Sequence, residues 1–404
     1  MNPTALVIPA FFLFFGLEYF VARRRGKGYL FNYENTVANL SIGIAERLLN
    51  LFITGSFYGL YYYIYEHYAL VEIPNQWWVW VLLLLATDLV WYWYHRLGHE
   101  INVLWGAHIV HHHSEDFNYT VSARITTLQS IVRNMFWCVL PLVGFNPGMV
   151  IAILVVHGAY SFFTHTQVIG NLGWLEHILI TPTHHGVHHA SNPKYLNKNY
   201  GDIFIFWDKL FGTFQREEEK PVYGLTHPLK SHSFLWQHFH YYMELWVACR
   251  RAKGFMGAMR VLLGRPEAID QNIRPALERK LLPGKKYSRH TSRFKAYLNT
   301  QLIACLAVLF LFTLLYPAFN LTETTFVLAM ILITLVICGA MLEQRQWVYY
   351  LELVRCLVVV AYVSVISESG MLFAIGFIFL LLISPGIDEG AYYKWVYGRA
   401  NTRE

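Results

Sequence analysis

Long apolar segments recur along this chain of 404 residues, and they restrict its fold more than any other feature. Only 14% of the residues are charged, whereas about a quarter are charged in a soluble domain. A helix of about 20 apolar residues crosses the hydrocarbon core of a bilayer and satisfies its own backbone hydrogen bonds. We therefore predict an all-α, polytopic membrane bundle, with spans near 4–22, 41–65, 77–95, 128–143, 148–164, 297–316, 325–342, 347–366 and 371–386.

The distribution of polar residues divides the chain into four parts. We expect N-terminal spans over 1–74, a histidine-rich part over 75–215, an amphipathic interfacial region over 216–296 and C-terminal spans over 297–404. His238 and His240 in the amphipathic region are two residues apart, so a helix would not point them together. We expect both at the membrane interface and neither as a metal ligand.

Three histidine clusters lie in the second part. On a helix, side chains three or four residues apart share a face, and neutral imidazole is the commonest protein metal ligand. A single pair would be weak support for a metal site, but three clusters in order favour one, because unpartnered buried rings are costly. Imidazole suits iron, zinc, copper and nickel alike, while eight rings exceed the four of a closed zinc site and suggest two metals. The clusters are His95 and His99; His108, His111 and His112; and His185, His188 and His189.

The charge pattern predicts which way these clusters face. The triplet Arg23 to Arg25 follows the first span directly, and the positive-inside rule assigns it to the cytoplasm. Counting onward, the third span and the returning arm of a hairpin over 128–164 both end on that side. We expect a cytoplasm-facing site in a bacterial inner membrane or the endoplasmic reticulum. The net charge of +6 resides mostly in cytoplasmic loops, and we expect no nucleic-acid partner.

These residues resemble the fatty acid hydroxylase (sterol desaturase) superfamily of integral membrane di-iron enzymes, over about residues 80–215. The first two motifs are His95-Arg96-x-x-His99 and Trp105-x-x-His108-x-x-His111-His112. The others are Pro182-x-His184-His185-x-x-His188-His189, Asn199-Tyr200-Gly201 and Trp207-Asp-Lys-Leu-Phe-Gly-Thr213. The residues around His108 to Asn118, the Thr181-Pro182 lead-in and the extra C-terminal spans are most similar to the alkylglycerol-cleaving branch.

The resemblance implies a site for two iron ions with nine histidine ligands. His165, at the returning end of the hairpin, joins the three clusters in that set. His184 is either a ligand or a supporting residue, and His157 is expected to be a buried packing residue. His113 stands where the superfamily often has serine, and we do not expect it to bind metal. The implied ligands are His95, His99, His108, His111, His112, His165, His185, His188 and His189.

Two carboxylates near the clusters are candidate catalytic residues. Asp88 precedes His95 by seven residues on one helix face, within a span, where an ionisable side chain is a functional-site hypothesis by default. It would accept the second ring N–H of a ligand histidine. Glu100 follows His99 and would ligate, bridge or carry a proton. We expect Asp202 to support the site and Asp208 to be structural.

The resemblance also implies a reaction, the hydroxylation of a lipid C–H bond with dioxygen. For an alkylglycerol this cleaves the ether to a fatty aldehyde and glycerol. Tetrahydrobiopterin is the implied electron donor, with a separate reductase system as a second source, and the residues that would bind a reductant are unknown. Sterol desaturases, sterol methyl oxidases and fatty-acyl hydroxylases share the same histidines and stay as alternatives.

A zinc-binding membrane hydrolase or a transporter is the alternative from another class. A HExxH-type hydrolase would carry a glutamate that His95-Arg-Leu-Gly-His99 lacks. Transport would favour polar residues within several spans, and we expect the C-terminal spans to be nearly uncharged.

Overall fold

The computed structural model describes residues 2–282, 291–383 and 389–398, and these residues are almost entirely helical. Within those ranges no strand forms beyond two isolated bridges, Leu179 with Phe204 and Ala190 with Tyr223. Seven described helices are long and apolar enough to cross a membrane: Thr4–Arg24, Tyr33–Tyr68, Trp77–Glu100, Pro147–Thr164, Ser292–Ala318, Leu321–Leu342 and Val348–Ile366. The predicted all-α, polytopic membrane fold is confirmed.

One compact unit comprises residues 6–230 and 237–278 and carries every histidine cluster. Its first helices are α1 (Val7–Arg24), α2 (Tyr33–Tyr68), α3 (Trp77–Glu100), α4 (Asn102–His108), α5 (Tyr119–Ser122), α6 (Thr127–Trp137), α7 (Val139–Val143) and α8 (Pro147–Thr164). They are followed by α9 (Pro182–His188), α10 (Phe206–Leu210), most of α11 (Phe234–Arg251), α12 (Gly254–Leu263) and the start of α13 (Ile273–Leu281).

The core of this unit holds four of its helices together. Tyr61 of α2, Leu83 of α3, Trp137 of α6 and Val150 of α8 belong to one buried apolar cluster. The Tyr61 hydroxyl donates to the side-chain oxygen of Asn134 at 2.8 Å, which satisfies a polar atom inside the cluster. This packing fixes α3, which carries the first histidine pair, against α8.

The predicted hairpin over 128–164 forms, but its first arm is not one span. It is broken at Cys138 into α6 and α7, because Pro141 has no N–H to donate to the carbonyl of Trp137 and its ring crowds that carbonyl. The turn follows α7 at Gly144, with a φ of 122° that suits glycine. A Cβ there would lie 1.9 Å from the carbonyl oxygen of Val71.

A second compact unit comprises residues 1–5, 231–236 and 279–404. Its described helices are α14 (Ser292–Leu315), α15 (Leu321–Leu342), α16 (Val348–Ile366), α17 (Gly370–Ile383) and α18 (Glu389–Tyr397). The last predicted span ran over 371–386; α17 has 14 residues, and 384–386 lie outside the described residues. The four-part division of the chain stays a prediction.

The C-terminal spans are more polar than the sequence led us to expect. Glu352 of α16 accepts hydrogen bonds from the Tyr297 hydroxyl at 2.7 Å and from Arg355 at 2.5 Å. Arg355 also donates to Thr334 of α15 at 2.9 Å. Each charge is compensated locally, which explains how two ionisable residues are tolerated among apolar neighbours.

Candidate metal centre

The nine histidines of the expected ligand set come together as two buried groups. Within each group, one candidate ligand atom from every member lies within 4.8 Å of the others. We call His95, His99, His108, His112 and His188 group A, and His111, His165, His185 and His189 group B. Ligation by these nine residues stays a prediction, while their convergence is a property of the fold.

The groups do not follow the sequence clusters. The segment after His108 changes from α-helix to a 3-10 helix over Ile109–His112. His108 and His112 face group A, whereas His111 between them faces group B. The third cluster divides in the same way, since His188 joins group A and its neighbour His189 joins group B.

The nitrogen spacing in both groups suits metal coordination. In group A, Nε2 of His108 lies 3.1 Å from Nε2 of His95 and 3.1 Å from Nε2 of His112. Adjacent ligands at right angles, each about 2.1 Å from a metal, would be about 3.0 Å apart. In group B, Nε2 of His165 lies 3.1 Å from that of His111 and 2.9 Å from that of His185.

Backbone carbonyls determine which ring nitrogen of these histidines carries no proton. Nδ1 of His95 donates to the Tyr200 carbonyl at 2.8 Å, Nδ1 of His188 to Lys198 at 2.9 Å, and Nδ1 of His165 to Ser161 at 2.7 Å. Because a carbonyl only accepts, the proton of each neutral ring is on Nδ1, and Nε2 presents a lone pair to its group.

Several other ring nitrogens in the groups are buried without a hydrogen-bond partner among the described residues. They are Nε2 of His99, Nδ1 of His108, Nδ1 of His111 and Nε2 of His188. Burial lowers the pKa of His165 to about 4 and holds the pKa of His189 well below its usual range. Rings that are neutral, bare at Nε2 and closely spaced fit a metal ion in each group.

The segment over 198–213 supplies two of these carbonyls and is itself held by a carboxylate. Asp208 accepts from the backbone N–H of Tyr200 at 2.7 Å, from that of Gly201 at 2.9 Å and from the Thr213 hydroxyl at 2.7 Å. Asp208 therefore orients His95 through the Tyr200 peptide. Asp208 was expected to be structural, and its hydrogen bonds also influence the site.

Asp88 holds the same segment from the side of α3. Its carboxylate accepts from the backbone N–H of Ile203 at 2.9 Å, from that of Phe204 at 3.1 Å and from Trp207 Nε1 at 3.1 Å. The ring N–H of His95 donates to the Tyr200 carbonyl and not to Asp88. Asp88 lies outside both histidine groups.

His157 is more than the packing residue expected from sequence. Its Nδ1 lies 2.6 Å from Asp202 and 3.9 Å from Asp88, and all three side chains are buried. They join α3, α8 and the 198–213 segment. Sequence reasoning missed these contacts because the partners are 45 residues apart or more.

Glu100 ends α3 and is partly exposed. Arg96 Nε donates to it at 2.9 Å, and Arg265 lies 3.9 Å away. It adjoins His99 in sequence but lies outside both histidine groups.

His240 is not interfacial, which corrects the expectation from sequence. Its side chain is fully buried, with Nε2 at 2.9 Å from Nε2 of His113 and Nδ1 at 2.8 Å from Glu244. Arg274 donates to the same carboxylate at 2.7 Å. His113 thus packs against α11 and stays outside both groups. His184, also outside them, caps the start of α9.

Comparison with known proteins places this centre in a family. The fatty acid hydroxylase family model matches residues 80–213. Alkylglycerol monooxygenase of Homo sapiens is 35% identical over 333 residues, covering 80% of this chain and 74% of the relative. The Xenopus tropicalis alkylglycerol monooxygenase is 33% identical over 349 residues, covering 82% and 75%.

The chain belongs to the fatty acid hydroxylase family. This member of the family is a multi-pass membrane protein and a lipid monooxygenase, and its histidines indicate that it depends on metal. Ornithine lipid hydroxylase OlsE of Rhizobium tropici is 30% identical over 145 residues, covering 35% of this chain and 44% of the relative. No solved structure matches.

Proposed function

We propose that this protein cleaves the ether bond of alkylglycerols. The observation that carries the proposal is the convergence of nine histidines as two groups with Nε2 spacings of 2.9–3.2 Å. The relatives that match most of the chain are named alkylglycerol monooxygenases, which supports this substrate over sterols and fatty acyl chains.

Two iron ions, one in each group, would supply the oxidising chemistry for insertion of one oxygen atom from dioxygen. The substrate carbon next to the ether oxygen exchanges C–H for C–OH, while the second oxygen atom leaves as water with two electrons and two protons. The hemiacetal then breaks its C–O bond and gives a fatty aldehyde and glycerol. We propose tetrahydrobiopterin as the electron donor, with a separate reductase as the other source.

The chain's own residues prepare the site. The carbonyls of Lys198 and Tyr200 orient His188 and His95, and Asp88 and Asp208 hold the segment that bears those carbonyls. We propose Glu100, beside His99, as the residue that exchanges protons with water, because it is partly exposed. The hydrogen bond from Arg96 holds the Glu100 side chain in place there.

We propose that the site faces the cytoplasm. Arg23, Arg24 and Arg25 follow the first span, and the positive-inside rule assigns that end to the cytoplasm. In a variant without the native cysteines, a cysteine introduced at the exposed Tyr29 should react with a membrane-impermeant maleimide only after the membrane is opened.

Release of fatty aldehyde from 1-O-hexadecylglycerol tests the reaction. Iron-replete membranes with oxygen and tetrahydrobiopterin should release aldehyde, and membranes carrying His189→Ala should fall to background, a loss of at least about 100-fold, because group B is then incomplete. Iron-loaded protein that releases none with either tetrahydrobiopterin or an added reductase system would refute alkylglycerol cleavage, and sterols and fatty acids would then be assayed.

A further inference from the structure

A polar cavity of about 730 Å³ lies beside group B and outside the proposed metal sites. Residues 166–177, the start of α9 and residues 214–223 form its wall. Its charged lining residues include Glu176, Arg216, Glu217 and Lys220. None of these belongs to either histidine group.

Residues of the cavity wall lie next to group B, both in sequence and through ring contacts. Two lining residues adjoin its histidines in sequence, since Thr166 follows His165 and His184 precedes His185. A third, Tyr223, stacks on the Phe117 ring with centroids 4.8 Å apart. Phe117 in turn lies 5.2 Å from the His189 ring and 5.7 Å from the His165 ring.

Aromatic side chains of α1, α5 and α8 pack together one turn before His165. Phe162 of α8 stacks on Tyr119 of α5 at 4.6 Å and contacts Phe11 of α1 at 5.7 Å. Glu18 of α1 accepts hydrogen bonds from the Thr166 hydroxyl and from the Tyr119 backbone N–H. His165 therefore follows an aromatic cluster along the chain and directly precedes Thr166 of the cavity wall.

We propose that the cavity binds the hydroxyl-bearing head of an ether lipid whose alkyl chain lies along these aromatic residues. This inference rests on the proposed ether cleavage and assigns its substrate a position.

The charges of the cavity fit a neutral head better than a phosphate. Two carboxylates, Glu176 and Glu217, face two cations, Arg216 and Lys220, so an anion gains little net attraction. Glycerol hydroxyls both donate and accept, and they suit such a mixed lining. Among the described residues Arg216 and Glu217 make no side-chain hydrogen bond, which leaves both for a ligand.

Filling the cavity at Gly170 is the direct test. A Cβ at this lining residue would meet nothing within 4 Å, so Gly170→Ala should be neutral, whereas Gly170→Trp should occupy the cavity. We expect Gly170→Trp to raise KM for 1-O-hexadecylglycerol about tenfold or more and to weaken anaerobic binding of the tritiated lipid equally. Bound iron should equal that of Gly170→Ala.

A second pair of variants tests recognition of the hydroxyls. Glu217→Ala should lower kcat/KM for 1-O-hexadecylglycerol about five- to tenfold and leave hexadecyl methyl ether, which has no hydroxyls, unchanged. The matched control is Glu218→Ala, because Glu218 is the adjacent glutamate, does not line the cavity and contacts Lys194 at 3.4 Å.

The outcomes separate the two proposals. Wild-type aldehyde release with unchanged KM and lipid binding in Gly170→Trp would overturn the cavity assignment and leave ether cleavage standing. A wild-type protein that holds iron but neither binds nor cleaves the alkylglycerol would refute both. A stronger preference for a phosphate-bearing ether lipid over the neutral one would overturn the choice of a neutral head.

Discussion

At the scale of single residues, adjacent histidines have different partners. His111, His112 and His113 are consecutive, yet His111 belongs to group B, His112 to group A and His113 contacts His240. One imidazole therefore cannot replace its neighbour. A substitution acts on the partners of that ring and not on the sequence cluster as a whole.

Iron content should distinguish these neighbours. We expect His189→Ala to lose about half of the bound iron or more, because group B then keeps three imidazoles, and His113→Ala to keep it. Elemental analysis of purified protein, normalised to chain concentration, measures this. Equal losses in the two variants would show that the assignment of His113 is wrong.

At the scale of elements, the segment over 198–213 orients ligand histidines of the site. It has little regular structure, and its backbone N–H groups donate to Asp208, within the segment, and to Asp88 of α3. Its carbonyls then fix ring orientation in group A. Hydrogen bonds of this kind around ligand histidines are typically worth about 10- to 100-fold in metal affinity.

Asp208→Asn should lower the affinity for iron about tenfold. The amide NH2 is a donor and replaces one of the two oxygens that accept from the Tyr200 and Gly201 N–H groups. Titration with a chelator, followed by the iron retained, measures the shift. Asp270→Asn is the control, since Asp270 is exposed and pairs with Arg251 at 2.8 Å. Identical chelator curves for the two variants would rule out a positioning role for Asp208.

Periodicity and apolar length predicted most of these elements, because each span buries its own hydrogen bonds and needs no distant partner. Helical spacing brought eight histidines into the expected set, and the resemblance to the fatty acid hydroxylase superfamily added His165. Spacing could not assign them to two groups, because that depends on the change from α to 3-10 helix after His108. It also missed His240, whose partner His113 is 127 residues away.

At the scale of the whole molecule, a buried set of neutral imidazoles makes stability depend on pH. An exposed imidazole has a pKa near 6.5, while burial lowers that of His165 to about 4 and those of His111, His185 and His189 well below the usual range. At pH values between the folded-state and unfolded-state pKa values, the unfolded chain binds protons that the folded chain does not. The free energy of unfolding therefore falls as the pH falls.

We therefore expect the metal-free protein to melt at a lower temperature at pH 5 than at pH 7.5, by several degrees. Thermal unfolding in detergent at the two pH values measures the difference. His165→Asn removes one such imidazole and should reduce the difference between the two melting temperatures. A melting temperature that is equal or higher at pH 5 would contradict the argument.

The division of the third cluster between the groups also sets an order of events during synthesis. When residue 165 has been made, group B possesses only His111 and His165; its other two rings come at 185 and 189. By then, four of the seven candidate spans have already been translated. We therefore expect metal loading to come after these spans have been made, so that the chain reaches the membrane before its metal centre is complete.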